Sequence, residues 1–143
     1  MCFVTQIIKI YSRAIKVSDA IILSDYDKGT LNKIPSLISL AKKNKKRVYV
    51  DPKNKDIESY RNSELITPNL LEWKTITSDI GIKEHRRIYE LQDTYNIKNI
   101  LITLGKDGMI LFSKNKSYSV KAVNKKVYDV SGAGDTVISV MAH

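Results

Sequence analysis

The sequence predicts an α/β domain in three α-β-α layers, a mainly parallel sheet covered on both faces by helices. Two observations carry that prediction. Short apolar runs, at 20–23, 47–50, 64–67 and 99–103, alternate with segments whose apolar residues recur at helical spacing. Polar and turn-forming residues then follow each run, as expected where parallel strands end at one rim.

Taken in order, Val4, Ile7, Ile8, Tyr11, Ala14 and Ile15 lie on one helical stripe over about 4–16. Ala20-Ile21-Ile22-Leu23 is a continuous apolar run, the mark of a strand buried on both faces. Leu31, Ile34, Leu37, Ile38 and Ala41 predict a second amphipathic helix, with Thr30 as its N-cap and basic residues at its C-terminal end. Pro35 is tolerated only if it falls near the first turn. Arg47-Val48-Tyr49-Val50 is a strand ended by Asp51-Pro52, and Glu64-Leu65-Ile66-Thr67 another, ended by Pro68. Ile82, Ile88, Leu91 and Tyr95 predict a third helix leading into the strand at 99–103. Segments near 108–112 and 117–121 predict a hairpin turned around Asn115, and a last helix is predicted from Gly132 to the final residue, His143.

Composition excludes several classes. Apolar residues are 43% and charged residues 27%, the balance of a globular chain and not of a disordered one. No apolar run approaches the roughly 20 residues that a membrane-spanning helix needs. Lys9 and Arg13 break the N-terminal apolar stretch, so a signal peptide is not predicted and the expected location is cytoplasmic. Cys2 is the sole cysteine and His85 and His143 the only histidines, which rules out an internal disulfide and a thiolate–imidazole metal cluster. The net charge is +9, from 24 basic and 15 acidic residues. Aromatic residues do not interleave with the basic runs at 42–47 and 125–126, so a nucleic-acid platform is not predicted, while an anionic, phosphorylated substrate suits the positive field.

The rim of a parallel sheet is where ligands bind, and Ser24-Asp25, Asp51-Pro52-Lys53, Pro68-Asn69 and Gly105 all fall there. The strongest chemical signal is Val130-Ser131-Gly132-Ala133-Gly134-Asp135-Thr136. Two glycines before a helical run let main-chain N–H groups approach an anion, and the helix N-terminus adds partial positive charge there. A carboxylate in that first turn is placed to take a proton from a hydroxyl attacking a phosphoryl group. Read alone, the same pattern also fits an acidic residue that simply favours the helix dipole.

Together with its neighbours this segment resembles the C-terminal signature of the ribokinase-like (PfkB) carbohydrate kinases. Thr67-Pro68-Asn69-Leu70-Leu71-Glu72 is similar to that family's Asn-x-x-Glu element, and Thr103-Leu104-Gly105-Lys106-Asp107-Gly108 to its Thr-x-Gly-x-x-Gly turn, in the family's order. Within the family, Leu23-Ser24-Asp25-Tyr26-Asp27-Lys28-Gly29, the Asp51-Pro52-Lys53 run with Asp56 and Tyr60-Arg61, and Val127-Tyr128-Asp129-Val130 resemble the kinase domain of heptose-7-phosphate kinase/ADP-heptose synthase proteins. Those enzymes prepare activated heptose for the lipopolysaccharide core. The resemblance runs from about Ala20 to the C-terminus.

The resemblance implies a ribokinase-like fold, ATP and Mg²⁺ as cofactors, and phosphorylation of the anomeric hydroxyl of heptose 7-phosphate. It implies Asp135 as the base, the amides of Gly132, Ala133 and Gly134 as the anion hole, and Glu72 with Asn69 ordering magnesium through water. Asn69, Leu70, Leu71, Glu72, Thr103, Gly105 and Gly108 would hold the nucleotide. Asp25 and Lys28 would face the sugar, and Lys53 or Arg61 an anionic group of it. For Asp51-Pro52 a strand terminator, for Lys28 a solvated turn and for Arg61 a surface ion pair are equally open. Leu71 departs from the small polar residue common at its position. Members of the family are longer, so residues 1–143 are expected to form a partial kinase domain. It would lack the N-terminal sugar-binding and lid half and the C-terminal end, and would be inactive alone unless a partner chain or second copy completes it. A kinase for another sugar or nucleoside, and a non-catalytic remnant or basic binding module, are the alternatives.

Overall fold

The computed structural model describes residues 3–25, 33–53 and 56–122. Helix α1 (Phe3–Val17) leads into strand β1 (Ala20–Ser24), followed by α2 (Ile34–Lys43) and β2 (Arg47–Asp51). A 3₁₀ turn (Ile57–Tyr60) precedes the two-residue strand β3 (Leu65–Ile66) and helix α3 (Leu70–Ile76). Helix α4 (His85–Tyr95), β4 (Asn99–Thr103), a 3₁₀ turn (Gly105–Asp107) and the hairpin β5 (Met109–Ser113) and β6 (Lys116–Val120) complete the order.

The six strands lie in one sheet in sequence order. Neighbours β1 to β4 pair in parallel, and β5 and β6 are antiparallel. A parallel sheet that grows steadily in one direction by right-handed crossovers places all its connecting helices on one face. That is what the core shows. Ile15 of α1, Ile34, Leu37 and Ile38 of α2, Trp73 of α3 and Ile88 of α4 join Val48, Val50, Ile66, Ile100, Ile102 and Phe112 in one cluster. The opposite face holds a smaller cluster of Tyr49, Leu65 and Leu101. The central strands are therefore buried on both faces, as in a three-layer fold, while the edge is not. Ile22 of β1 is 45% exposed, so the continuous apolar run at 20–23 is an edge strand with one covered face.

The other differences from the sequence reading have local causes. Helix α2 starts at Ile34, with Lys33 at the N-cap position and no side-chain cap. Pro35 then sits in the first turn, where its missing N–H has no intrahelical partner to lose. Thr30 and Leu31 lie outside the described residues. Ile82 belongs to the turn before α4, which begins at His85. Strand β3 keeps two of the four predicted residues, with Thr67 instead bonding back to Val50 O through its N–H (3.0 Å). The hairpin turns at Lys114 and Asn115, both at positive φ, which matches a tight two-residue turn between right-twisted strands. The predicted helix from Gly132 lies outside the described residues.

Candidate active site

The rim is built where the four parallel strands end. At the end of β1, Asp25 is buried, its N–H donates to Asp51 O (3.0 Å), and its Oδ2 accepts from the Tyr60 hydroxyl (3.1 Å). At the end of β2, the Asp51 carboxylate is buried and Lys53 turns back towards it. At the end of β3, Asn69 starts helix α3. Its Oδ1 accepts from Glu72 N–H (2.9 Å), while Glu72 Oε2 accepts from Asn69 N–H (2.8 Å). This reciprocal pair is a capping box, which satisfies two of the donors that a helix start leaves unpaired. At the end of β4, Thr103 N–H donates to Pro68 O (3.0 Å), and Asn69 bridges to Thr103 in parallel register. Asn69, Glu72 and Thr103 are thus brought together by strand order alone.

Lys53 ties two strand ends together. Its Nζ lies 2.9 Å from Glu72 Oε1 and 3.3 Å from Asp51 Oδ2. Burial alone would lower the lysine pKa. The hydrogen bond to Glu72 and the charges of Asp51 and Glu72 outweigh that, so the ammonium is held above its ordinary range. The Glu72 carboxylate consequently has one contact on each oxygen, and each oxygen keeps a further lone pair. That donor set fits a metal bound through its water shell, as Mg²⁺ commonly is, better than one stripped of water. Among the described residues no three His, Cys, Asp or Glu side chains converge as a closed metal cage.

The two glycines of the 103–108 turn differ in kind. Gly108 has φ +101, and a Cβ there would lie 1.9 Å from Val120 O and 2.8 Å from Ala122 N. It is buried under the end of β6, so close backbone packing and not ligand approach requires it. Gly105 has φ +58 and no heavy atom within 4 Å of such a Cβ, so its free space faces outward. Gly105 is therefore the open backbone position of the turn and Gly108 its packed one. Leu70 and Leu71 sit exposed on the first turn of α3.

Arg61 makes its contacts away from the rim. Its Nη1 donates to Thr94 O (3.2 Å), its guanidinium stands 5.2 Å from the Tyr95 ring centroid, and Glu58 is 3.9 Å away. These partners lie where the strands begin, at the pole opposite the rim, since Tyr95 closes the helix that feeds β4. These contacts are the ones the surface ion-pair reading expects of Arg61. Asp135, Gly132, Ala133, Gly134 and Lys28 lie outside the described residues. Two features were not read from sequence. The Tyr60–Asp25 bond has no sequence signal, because it joins a strand end to a distant 3₁₀ turn. Helix α3 did have one, the Asn-x-x-Glu spacing of a capping box. No helix among the described residues is long and apolar enough to cross a membrane.

The model of the pfkB family carbohydrate kinases matches residues 12–143. The chain is 39% identical over 136 residues to the "Bifunctional protein HldE" of Marinomonas sp. strain MWYL1, covering 93% of this chain and 29% of that protein. It is 42% identical over 134 residues to the HldE protein of Actinobacillus succinogenes, covering 90% and 28%. The chain thus spans less than a third of these curated relatives. Among solved structures, a phosphofructokinase-2 mutant from Escherichia coli superposes with a TM-score of 0.81 at 22% identity, covering 96% of this chain and 48% of that one. A putative ribokinase from Agrobacterium tumefaciens gives 0.72 at 15% identity, covering 92% and 43%. At these identities the structural matches establish the ribokinase-like fold alone. With the family model matched along almost the whole sequence, the chain belongs to the pfkB family of carbohydrate kinases.

Proposed function

We propose that the chain forms the nucleotide-binding side of an ATP-dependent sugar kinase whose acceptor is heptose 7-phosphate. The observation that carries this reading is the junction of Asn69, Glu72 and Thr103 at adjacent strand ends, beside the outward-facing Gly105. It gathers a carboxylate, an amide side chain and the open space over Gly105 at one rim, which is where a triphosphate and its metal would bind. The choice of heptose rests on the HldE relatives and on the Asp51-Pro52-Lys53 and Asp25 segments.

In this reading Asp135 accepts the proton of the anomeric hydroxyl as its oxygen attacks the γ-phosphorus in line, and ADP leaves. The amides of Gly132, Ala133 and Gly134 stabilise the charge spread over the transferring group. Mg²⁺, when bound with the nucleotide, neutralises phosphate charge, and Glu72 with Asn69 orients its water shell. Asp25, fixed by Tyr60, and Lys28 are the candidates for contact with the sugar. For the 143-residue polypeptide by itself we propose weak nucleotide binding without turnover, since so few of its residues are candidates for the sugar. A partner chain or second copy against the exposed edge strand β1 is the corresponding expectation for assembly.

A chimera tests the assignment. Residues 20–143 replacing the matched segment of an HldE protein should phosphorylate heptose 7-phosphate, and Asp135→Asn should slow turnover by about 10²–10⁴-fold. A folded chimera that acts on ribose or fructose 6-phosphate in preference to heptose 7-phosphate would assign the alternative sugar. A folded chimera with no nucleotide binding would refute the reading altogether.

A further inference from the structure

We propose that the pole where the parallel strands begin, opposite the rim, is a docking face for the anionic surface of a lipid bilayer. The inference rests on where charge is placed and is independent of the kinase reading, since the rim faces the other way and stays open to its ligands. Lys16 lies in the last turn of α1, Lys42 and Lys43 in the last turn of α2, and Lys45, Lys46 and Arg47 in the stretch that enters β2. All are exposed or half-exposed, and none forms an ion pair with a described residue. Of the acidic residues at this pole, Glu64 is taken by Lys98 at 3.0 Å and Glu58 by Arg61 at 3.9 Å, which leaves Asp19 and Asp93 to offset the basic run. That run therefore does not face the rim, where a phosphorylated substrate would bind.

The helix dipole accounts for part of this pattern. Cations in the last turn of a helix are stabilised by its partial negative end, which covers Lys16, Lys42 and Lys43. Lys45, Lys46 and Arg47 lie beyond the helix and gain little from it. Their turn is also fixed in place. Lys45 N–H donates to Lys42 O at 2.9 Å and Lys46 N–H to Ala41 O at 3.0 Å, which closes the helix end. Lys45 there holds a φ of +57, where glycine is the usual residue. Lysine in excess of arginine suits a diffuse anionic surface, because an ammonium is a point charge without the planar fork that grips a phosphodiester. The 42–47 turn has no aromatic residue on which a base could stack. Val17, 86% exposed beside Lys16, adds an apolar contact that a lipid interface buries. Such attraction strengthens about fivefold for each lysine near the surface. It fades over a Debye length, about 8 Å at physiological salt.

The test is co-sedimentation of the 143-residue protein with phosphatidylcholine vesicles, made with and without phosphatidylglycerol. Wild type should bind only the vesicles that contain phosphatidylglycerol, and should be released as salt is raised to about 0.5 M. The quadruple variant Lys42→Gln/Lys43→Gln/Lys45→Gln/Lys46→Gln should bind at least about tenfold more weakly. Lys33→Gln/Lys83→Gln/Lys106→Gln/Lys121→Gln removes the same charge from the rim end of the fold, and should stay within about twofold of wild type. Val17→Ser should lose about threefold at unchanged charge. Circular dichroism establishes that each variant is folded. Equal losses in the two quadruple variants would mean that net charge alone attracts the vesicles, and overturn the proposal. Val17→Ser that binds as tightly as wild type overturns it too. A mixed-sequence oligonucleotide that strips the protein from the vesicles through the same four lysines would assign the face to nucleic acid instead.

Discussion

Replacing the two glycines of the 103–108 turn one at a time separates packing from binding. In Gly108→Ala the new methyl must enter space that the β6 end already fills, with Val120 O at 1.9 Å and Lys121 Cα at 2.9 Å. These neighbours are backbone, which cannot swing aside as a side chain would. Val120 also pairs with Met109 next to the turn, so relief means prising the hairpin end away from the sheet. The φ of +101 adds strain for any residue with a Cβ. About 1–3 kcal/mol from strain and about 1–3 kcal/mol from overpacking give an expected loss of roughly 2–6 kcal/mol. Gly105→Ala meets no atom within 4 Å and keeps only the cost of a left-handed φ, about 1–2 kcal/mol. Urea unfolding, read by linear extrapolation with unchanged m-values, measures both. Mg·ATP titration should show the reverse order among folded proteins, with Gly105→Ala losing affinity because its methyl projects from the rim. Equal destabilisation of the two variants, or a larger loss for Gly105→Ala, would refute the division of roles.

Two further predictions follow from the rim and the core. Asn69→Ala removes the cap of α3 and leaves Glu72 N–H without its acceptor, so stability should fall by about 1 kcal/mol in urea unfolding. The alkaline limit should be set in part by Tyr11 and Lys53. Burial raises the Tyr11 hydroxyl to about 12, and it donates to Leu37 O at 3.0 Å, while the carboxylates around Lys53 hold its ammonium above the ordinary range. Both folded values lie above the unfolded ones, so their stabilisation is complete below about pH 10 and is lost as pH rises towards and beyond about 12. Urea midpoints taken across that window should fall more steeply for wild type than for Tyr11→Phe or Lys53→Met.

The sequence carried the order of elements well because each has its own periodicity. The runs at 20–23, 47–50 and 99–103 became β1, β2 and β4 with little change, and Asn115 marked the hairpin turn. What it could not carry was the sheet order. Alternating strands and helices look alike whether crossovers go in one direction or reverse, so the placement of α1 to α4 on one face, and of β1 at an edge, came only with coordinates. The site shows the same limit. Asn69 and Glu72 were singled out by the resemblance of the 67–72 segment, while the capping box they form, whose three-residue spacing is local, was passed over. The Lys53 bridge joins residues 19 positions apart through parallel pairing, which no window on the sequence contains. The contacts of Arg61 are hidden from the sequence for a related reason. Its neighbour Tyr60 reaches the rim through a long side chain, whereas Arg61 itself turns to the opposite pole.

The most direct measurement of the central claim is a residue-resolved titration of the ¹⁵N-labelled protein with Mg·AMP-PNP, a non-hydrolysable ATP analogue. The account predicts amide shifts concentrated at Asn69, Glu72, Thr103 and Gly105, with the opposite pole around Glu64, Asn96 and Asn115 unmoved. Shifts confined to that opposite pole, or none even at nucleotide concentrations far above those that saturate pfkB kinases, would contradict it.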